Sequence, residues 1–477
     1  SRFALSLISA VILSRYFEKA EYGTYKQVVY VYTSIATLFA AGLPSAYAFF
    51  LPKLGMDQGK DVVAKLNVLF ISFGFVFAVF LFSFAGVIAN VLNNPELKVG
   101  LRLFSPIPLF LFPTLGLEGF YAALRKTYVV AIYTATTRFG MLLFIVLPVI
   151  LFNGSYQSAI IGWGIASLLS LLFAFYLKNK PFRNYKRQTS HITYRTIFNY
   201  SFPLMVATIG GVMIRTSDQF YISRYFGTET FADYSNGFVP LPFIAMVTGA
   251  IHAVFVPLFS KLDGQENGNA KIAATWKRGV NNAVIILFPI LIYFFVFADE
   301  IILTLYGPLY DKSYIYFRFS MVINFFMPFL FYSILLAKGE TRLYAKMHII
   351  HGIVIWVLGY FVARYFQSPF YYVAFSVLLA VITRQIGLYF AARSLDVSLI
   401  KLVDIRKIAV ILIPFSILCF GIYYISNIFF TSNWLLILFS GTLYFSILAI
   451  ADYFWDIGFI KIAKGIFKKE KGFVSHE

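Results

Sequence analysis

Cysteine and charge are both scarce in this sequence. One cysteine, Cys419, occurs in 477 residues, which excludes a disulfide framework and a cysteine-based metal site. Charged residues make up 13% of the chain, against about 25% in an ordinary soluble domain. Because 60% of the residues are hydrophobic, a water-soluble fold would have to expose large apolar areas, which monomeric soluble proteins rarely do. These values exclude a soluble enzyme and a disordered chain, and they indicate a polytopic membrane protein.

Long apolar runs dominate the chain. A hydrocarbon core about 30 Å thick needs about 20 apolar residues per helix. The runs predict fourteen transmembrane helices, at 3–17, 28–52, 66–92, 101–124, 128–152, 157–177, 197–226, 232–260, 279–304, 314–337, 344–366, 371–392, 405–429 and 434–454. The first run is too short to span and the sequence does not begin with methionine, so we expect the first helix to be truncated here.

Acidic residues are the rarer charge, with 21 Asp and Glu against 40 Lys and Arg. If the even-numbered connections face one side, that side carries 28 of the basic residues and the opposite side carries 9. Lys and Arg accumulate in cytoplasmic loops, so this alternation predicts that both termini are cytoplasmic. The basic excess is therefore an orientation signal, and it requires no nucleic-acid partner.

The two halves of the chain resemble each other. Ser-Arg-Tyr-Phe at 14–17 recurs at 223–226, and Lys-Leu at 53–54 recurs at 261–262. Six helices per half give a parallel repeat, an arrangement that transporters use with the substrate site between the halves. The predicted organisation is an N-lobe over 1–177 (helices 1–6), a basic cytoplasmic inter-lobe loop over 178–195, a C-lobe over 196–392 (helices 7–12), two further helices over 393–454, and a basic cytoplasmic tail over 455–477.

Several weak motifs occur in a fixed order. They are Ser14-Arg-Tyr-Phe-x4-Tyr22-Gly-x-Tyr25, Tyr200-Ser-Phe-Pro-Leu204 with Asp218 following, Leu305-Tyr-Gly-x-x-Tyr310-x-x-Ser313, and Leu336-Ala-x-Gly339. In these the chain resembles the polysaccharide (O-antigen, Wzx-type) flippases of the multidrug/oligosaccharidyl-lipid/polysaccharide (MOP) exporter superfamily. Glu18 departs from the pattern, which usually has glycine there.

The resemblance implies an all-α, MATE-like fold, with two pseudo-symmetric six-helix lobes around a central cavity and two C-terminal helices. It implies a flippase in the bacterial cytoplasmic (inner) membrane. By alternating access, such a protein moves undecaprenyl-diphosphate-linked oligosaccharide units from the cytoplasmic to the outer leaflet for surface polysaccharide or lipopolysaccharide synthesis. Polysaccharide polymerase or assembly proteins are the implied partners.

Ionisable residues within spans are the candidate site residues. A charge at the bilayer centre costs at least about 2.5–3.5 kcal/mol, so such a residue usually faces a cavity or a partner. Guanidinium groups bind phosphate oxygens bidentately. We therefore predict that arginines line the cavity and bind phosphate, and that two acids act as charge or coupling partners. The arginines are Arg15, Arg138, Arg215, Arg224 and Arg384, and the acids are Asp218 and Glu118.

Each candidate has a structural alternative. Arg215 and Asp218 are three residues apart and could form an ion pair within one helix. Arg138 could pair with Glu118 between helices. Arg15 and Arg224, which occupy equivalent repeat positions at outer helix ends, could extend to the interface. Arg384 could pack away from the cavity.

Glycine and proline interrupt helices at matching places in the two halves, a mark of the binding region in repeat transporters. Gly42 and Pro44 lie in helix two, and Pro240, Pro242 and Gly249 lie in helix eight. Kinks needed only for packing are the alternative.

The sequence shows no Walker A motif and no catalytic triad, so we predict a transporter without ATPase activity or cofactor. His348 and His351 lack a third ligand nearby, and no metal site is predicted. Coupling to H+ or Na+, or the membrane potential, would supply the energy.

Other functions are weighed against this one. A lipid II flippase carries a similar lipid diphosphate, and a cation-coupled multidrug exporter has the same fold but favours an acidic cavity. A membrane glycosyltransferase or polymerase would need larger extramembrane loops, and a purely structural anchor does not explain charges within spans.

Overall fold

The structure, a computed structural model, describes residues 2–40, 42–455 and 458–459. Within these residues all regular secondary structure is helical, as hydrocarbon requires of segments that must satisfy their own backbone hydrogen bonds. The α-helices are α1 (Arg2–Tyr16), α2 (Lys19–Ala40), α3 (Leu43–Phe50), α4 (Met56–Val91), α5 (Leu97–Phe104), α6 (Ile107–Leu111), α7 (Leu117–Ala123), α8 (Thr127–Phe152), α9 (Tyr156–Asn179), α10 (Tyr194–Gly237), α11 (Pro242–Leu262), α12 (Gly268–Val296), α13 (Ala298–Tyr306), α14 (Ser313–Phe325), α15 (Phe331–Ala337), α16 (Thr341–Tyr365), α17 (Pro369–Ser394), α18 (Leu399–Leu402), α19 (Ile405–Phe429) and α20 (Asn433–Trp455). Short 3-10 helices lie at Leu51–Lys53, Phe112–Thr114, Lys180–Phe182 and Pro308–Tyr310.

Many of these helices can cross a membrane. Among the described residues, 11 helical segments are long and apolar enough, or 12 if the bent helix α10 is counted as one span. The predicted all-helical, multi-pass class is therefore confirmed. The number fourteen stays a prediction, because α1 has 15 residues and α14 and α15 have 13 and 7, each shorter than a span.

The described chain divides into two compact units. Unit 1 lies within Ser1–Ser235 and Ala363–Pro369, and unit 2 lies within Asn236–Val362 and Phe370–Glu477. Each unit has an aromatic core. In unit 1 the fully buried rings include Tyr22, Tyr47, Phe70, Phe77, Phe104, Phe112 and Phe120, and in unit 2 they include Trp276, Tyr310, Tyr316, Tyr372 and Tyr444.

The helix of unit 1 that follows α1 is interrupted at a glycine. Gly42 has a φ of 85°, which L side chains rarely adopt, and it separates α2 from α3, whose first turn contains Pro44. A Cβ at Gly42 would collide with the backbone carbonyl of Ser201 in α10. The glycine at this break therefore lets two backbones approach closely.

A second interruption lies between α10 and α11. Gly237 ends α10, Pro240 lies in the connection, and Pro242 begins α11. A Cβ at Gly237 would meet the backbone carbonyl of Ser313 in α14. Gly249, in contrast, lies inside the continuous helix α11 with open space around its Cβ position.

The connection between α9 and α10 is fixed to α4 by a buried carboxylate. Asp61 is 3% exposed and accepts hydrogen bonds from Arg187 Nε (2.9 Å) and from the backbone N–H and hydroxyl of Ser190 (3.0 and 2.9 Å). Its fourth partner is Lys65 Nζ at 2.6 Å. Lys65 also donates to the carbonyl of Ile192 at 2.8 Å. The basic residues of this connection therefore hold it in place, besides contributing to the charge asymmetry.

Candidate functional site

One site that the structure shows within unit 1 is a cavity of about 820 Å³. Its described lining residues come from α1, α7 and α8: Leu5, Glu118, Ala122, Thr127, Val130, Ala131, Thr134, Ala135, Arg138 and Phe139. The lining residues of α8 recur every three to four residues along the helix and so share one of its faces. Most of the side chains that line this cavity are therefore apolar or small, and the charged groups among them are the guanidinium of Arg138 and the carboxylate of Glu118.

The cavity brings together two predicted site residues. Glu118 lies in the first turn of α7, which starts after Gly116 in the left-handed conformation (φ 77°). Arg138 lies eleven residues into α8, about 16 Å along the helix, or about half of a 30 Å hydrocarbon core. Since both side chains line the same cavity, the sequence alternatives of a cavity-facing Arg138 and a Glu118 partner are compatible with each other.

A smaller cavity of about 160 Å³ shares Arg138 with the large one. Its other lining residues come from α1, α2, α8 and α9: Leu5, Ser6, Ser9, Ala10, Tyr25, Lys26, Val29, Met141, Leu142, Ile145 and Trp163. None of these lining residues is acidic. Two cations, Lys26 and Arg138, therefore line one small cavity whose wall is otherwise largely apolar.

Sequence reasoning missed Lys26 as a site residue. It follows the Tyr22-Gly-Thr-Tyr25 motif and counts among the basic residues outside the cytoplasmic loops. In the structure it lies about two turns inside α2, and its ammonium is 5.2 Å from the centre of the Tyr22 ring. Its place inside an apolar helix is the only sequence signal that could have identified it.

Arg15 and Arg224 have different surroundings despite their matched repeat positions. Arg15 is exposed in the last turn of α1. Arg224 is half-buried, donates a hydrogen bond to the backbone carbonyl of Val91 and lies 5.6 Å from the centre of the Tyr225 ring. Part of the donor capacity of Arg224 is thus already used within the protein.

Next to Arg224, a buried polar network joins α2 to α10. Gln27 donates to the hydroxyl of Ser223 at 2.7 Å and accepts from Asn94 Nδ2 at 2.5 Å. Lys19 forms an ion pair with Asp233 at 2.9 Å. Because the motif that repeats around residues 14 and 223 supplies Ser223, part of the repeat signal reflects packing of α10 against α2.

Arg215 and Asp218 do not form the intrahelical ion pair that their spacing allows. Within the described residues, Arg215 is exposed and makes no ion pair or hydrogen bond. Asp218 is 8% exposed and accepts from the hydroxyls of Ser217 and Tyr234, each at 3.4 Å. Asp218 thus accepts hydrogen bonds from two neutral hydroxyls, and Arg215 is not its ion-pair partner.

Arg384 lies in a separate cluster inside unit 2. Its Nη2 is 3.0 Å from the sulfur of Met327, in the connection between α14 and α15. The guanidinium also interacts electrostatically with Tyr332 and Tyr344. His351 Nδ1 lies 2.8 Å from the hydroxyl of Thr383, the residue before Arg384. His351 therefore belongs to an aromatic and arginine cluster, and the ring of His348 lies 4.3 Å from that of Tyr344 in the same cluster. The described residues contain no group of three or more His, Cys, Asp or Glu that could hold a metal ion.

A further cation that the sequence did not single out is Lys178. Sequence reasoning counts it with the basic loop, but the structure places it in α9 with 0% exposure. Its ammonium donates to Tyr47 Oη (2.8 Å), Asn67 Oδ1 (3.0 Å) and the carbonyl of Pro113 (2.7 Å). It lies 4.7 Å from the Tyr47 ring centre. Three neutral acceptors match the three ammonium donors, so Lys178 is saturated.

The fold defines the class of the protein. The structure superposes on the lipid II flippase MurJ in its inward closed conformation with a TM-score of 0.71 over 96% of this chain and 97% of that chain, at 13% identity. A MATE family multidrug resistance transporter of the MOP superfamily, in an inward-facing conformation, gives a TM-score of 0.66 over 83% of this chain and 95% of that one, at 11% identity. The molecule is therefore a multi-pass membrane protein with the MOP exporter fold.

The sequence comparison gives the family. Residues 12–315 match the family model "Polysaccharide biosynthesis protein", and the chain belongs to this family. It is also 25% identical over 318 residues to the succinoglycan biosynthesis transport protein ExoT of Rhizobium meliloti, covering 64% of this chain and 60% of that protein. The chain thus spans less than two thirds of the length of the curated relatives it matches. The resemblance predicted from the motifs is confirmed.

Proposed function

We propose that this protein is an alternating-access flippase for undecaprenyl-diphosphate-linked oligosaccharide repeat units. It would move them from the cytoplasmic to the outer leaflet for surface polysaccharide synthesis. The observation that carries the proposal is the position of Arg138, at the junction of a large apolar cavity and a small cationic one, in a chain of the polysaccharide biosynthesis family. The protein would act in the bacterial cytoplasmic membrane with both termini cytoplasmic, beside polysaccharide polymerase or assembly proteins.

The chemistry of the two cavities fits such a cargo. A diphosphate cannot enter hydrocarbon without cations to replace its hydration, and guanidinium groups bind phosphate oxygens bidentately. The apolar wall around Val130, Ala131 and Phe139 is suited to a polyprenyl chain. A multidrug exporter of cationic compounds would favour acidic walls, whereas only Glu118 among the residues lining these cavities is acidic.

The proposed energy source is a gradient. Moving one charge through the membrane potential releases about 2.3 kcal/mol per 100 mV, and a dianionic diphosphate leaving an inside-negative cell moves in the favourable direction. Counter-transport of H+ or Na+ through Asp218 or Glu118 is the second scheme. It is supported by the burial of Asp218 among hydroxyls and by the position of Glu118 in the cavity of Arg138.

The test is a flipping assay in proteoliposomes. Purified protein is reconstituted with a fluorescent undecaprenyl-diphosphate oligosaccharide, and outward movement is read by quenching of the exposed label. A potential and a pH or Na+ gradient are imposed separately, with the gradient-free vesicle as control. We expect flipping that requires at least one gradient. Full activity without any gradient would remove both energy schemes, and absence of flipping under all gradients would contradict the proposed function.

Lipid II is the second cargo that the assay must include, because the fold similarity to the lipid II flippase covers 96% of this chain. Both cargoes carry a lipid diphosphate and differ in the attached sugars and peptide. We expect the oligosaccharide cargo to move faster. Faster movement of lipid II in the same vesicles would reassign the protein to that function.

A further inference from the structure

Two helices of unit 2 repeat the helix pair that lines the large cavity of unit 1. Helix α7 (Leu117–Ala123) has 7 residues, and α8 begins after a short connection, at Thr127. Helix α15 (Phe331–Ala337) also has 7 residues, and α16 begins after a connection of the same length, at Thr341. A single offset of 214 residues therefore takes Leu117 to Phe331 and Thr127 to Thr341.

The offset places ring-bearing residues of unit 2 at positions that line the cavity of unit 1. The corresponding pairs are Glu118 and Tyr332, Val130 and Tyr344, and Thr134 and His348. The three unit 2 residues lie together in the structure: the ring centres of Tyr332 and Tyr344 are 6.5 Å apart, and those of Tyr344 and His348 are 4.3 Å apart. All three side chains are half-buried, so part of each remains accessible. We call these three residues, with Arg384, the aromatic wall of unit 2.

Arg384 brings a positive charge to the aromatic wall from α17. It is half-buried and interacts electrostatically with Tyr332 and Tyr344. Within the described residues its side chain makes one hydrogen bond, to the sulfur of Met327, and no ion pair. A guanidinium has five N–H donors and a thioether is a weak acceptor, so most of its donor capacity is unused. A cation within a span usually faces a partner or a cavity, and here the described protein supplies no acid.

The other side chains of the wall supply hydrogen-bond acceptors. His348 Nδ1 lies 3.1 Å from the backbone carbonyl of Tyr344, and because a carbonyl only accepts, this nitrogen is the donor. The neutral imidazole therefore presents Nε2 as an acceptor. The hydroxyls of Tyr332 and Tyr344, which can donate and accept, make no hydrogen bond in the described part of the chain. Ring faces, acceptors and a guanidinium thus lie side by side within unit 2.

We propose that the aromatic wall of unit 2 binds a sugar that carries a carboxylate. A sugar ring has an apolar C–H face, which packs on aromatic rings, and a rim of hydroxyls, which needs donors and acceptors. Tyr332 and Tyr344 pack on the sugar ring, and His348 accepts from one of its hydroxyls. Arg384 binds the carboxylate bidentately, a contact that a neutral sugar cannot make. The proposal rests on the proposed function, because the sugar belongs to the lipid-linked oligosaccharide.

The tyrosine rings distinguish this site from the phosphate site that the sequence predicts for Arg384. A phosphate group has no apolar face to place on the ring of Tyr332 or Tyr344. A sugar with a carboxylate uses the rings and the guanidinium together. Since the same cargo carries sugar and diphosphate, the experiment must measure the two groups separately.

Equilibrium binding to the full chain in detergent tests the site. The probes are an undecaprenyl-diphosphate-linked tetrasaccharide that contains one hexuronic acid, the same lipid with the neutral hexose in its place, the free acidic tetrasaccharide, and undecaprenyl diphosphate without sugar. We expect the acidic lipid to bind about 10-fold more tightly than the neutral one, the effect of one charge-assisted contact. Arg384→Gln should abolish this difference.

Variants of Tyr344 test the packing on the sugar ring. Tyr344→Leu should weaken binding of both sugar-bearing lipids about 10-fold, because a ring contact and its buried area are lost. Tyr344→Phe keeps the ring and should retain most of the affinity. Binding of undecaprenyl diphosphate without sugar should be the same in every variant, which also shows that each variant is folded. If Tyr344→Leu does not fold, the comparison of Arg384→Gln with the unchanged protein decides.

Matched controls are available in unit 2. Arg393 is exposed in the last turn of α17, and Tyr424 is 72% exposed on α19, so Arg393→Gln and Tyr424→Leu should bind all probes as the unchanged protein does. Equal affinity of the unchanged protein for the acidic and neutral lipids would overturn the carboxylate site. Weaker binding of undecaprenyl diphosphate itself to Arg384→Gln would assign Arg384 to the phosphate and overturn the proposal.

Two further outcomes separate this site from the proposed function. If the free acidic tetrasaccharide binds and requires Arg384 and Tyr344, but no sugar-bearing lipid is flipped in proteoliposomes, the site stands and the proposed function is wrong. If the unchanged protein flips these lipids, and Arg384→Gln and Tyr344→Leu flip the acidic and neutral cargoes at the same rates as it does, the proposed function stands and the site is wrong.

Discussion

Unit 1 contains two kinds of cation within apolar helices. Lys178 is fully buried, and each of its three ammonium donors has a neutral acceptor. Lys26 and Arg138 instead line a cavity that has no acidic side chain in its wall. The difference teaches that a charge within a span does not by itself mark a transport site. What distinguishes the two kinds is that Lys178 is enclosed by its acceptors, whereas Lys26 and Arg138 line a cavity.

The comparison predicts the largest effect on transport at Arg138. Arg138→Met removes the guanidinium shared by both cavities, so we expect flipping to fall about 100-fold, the equivalent of a bidentate charged contact at about 1.5 kcal/mol or more per bond. Because Arg138 is exposed on the cavity face, Arg138→Met should lower the unfolding temperature of the protein less than Lys178→Met does. Flipping assays and thermal unfolding of the purified protein measure the two quantities. Normal flipping by Arg138→Met would remove the contrast between the two kinds of cation.

The same substitution at Lys178 should act on stability. Lys178→Met removes the donor to Tyr47 Oη, to Asn67 Oδ1 and to the Pro113 carbonyl. Asn67 Oδ1 still accepts from the Tyr47 hydroxyl at 3.0 Å, and each buried acceptor left unsatisfied costs about 1–3 kcal/mol. We expect a marked loss of folded protein and a lower unfolding temperature, with flipping per folded molecule retained. Size-exclusion profiles and unfolding curves check this. A well-folded Lys178→Met protein that fails to flip would place Lys178 with the transport residues.

Asp61 extends the comparison to a buried carboxylate whose oxygens already have hydrogen-bond and ion-pair partners. Asp61→Asn keeps the size of the side chain but removes the charge that holds Lys65 and Arg187. We expect a destabilisation of about 1–3 kcal/mol and faster proteolysis of the connection between α9 and α10. Limited proteolysis followed by mass spectrometry locates the cleavage. Asp57→Asn, four residues earlier and half-buried on α4, is the matched control and should be cleaved as the unchanged protein is.

The smallest effect is expected at Asp404, which caps α19 outside the spans. Its carboxylate accepts from the backbone N–H of Lys407 at 3.2 Å, and this bond, with Lys277 nearby, holds the pKa of Asp404 below its ordinary value. Asp404→Ala should cost about 1 kcal/mol. Because the folded pKa is depressed, the contribution is present above about pH 4 and is lost as the pH falls through the lower folded value. Unfolding curves of both proteins should therefore converge in acid, and a difference that persists there would contradict the cap.

The helical class, the presence of several spans and two of the helix interruptions were predictable from the sequence for physical reasons. Helical class and multiple spans follow from hydropathy, because hydrocarbon permits few backbone solutions. The interruptions at Gly42 and Pro242 were also visible, since glycine and proline restrict the backbone wherever they occur. Both signals are local to the chain, and neither depends on which helices become neighbours.

The roles of the charges were not predictable in the same way. The spacing of Arg215 and Asp218 allows an ion pair, but Asp218 accepts from hydroxyls instead, one of them 16 residues away. Lys178 and Lys26 both border apolar runs in the sequence. The acceptors of Lys178, at Tyr47, Asn67 and Pro113, are distant in the chain, so only the tertiary structure shows that its donors are satisfied. Flipping assays of Arg215→Ala and Asp218→Ala test the predicted roles of these two residues.

The carboxylate of Asp61 has a mechanical consequence for α10. Ser190 and Ile192 are held by Asp61 and Lys65, and α10 begins at Tyr194, two residues after the last anchor. Because only one residue lies between Ile192 and the start of α10, a rotation or shift of that helix end would displace α4 as well. A longer, unanchored connection would let α10 move without α4.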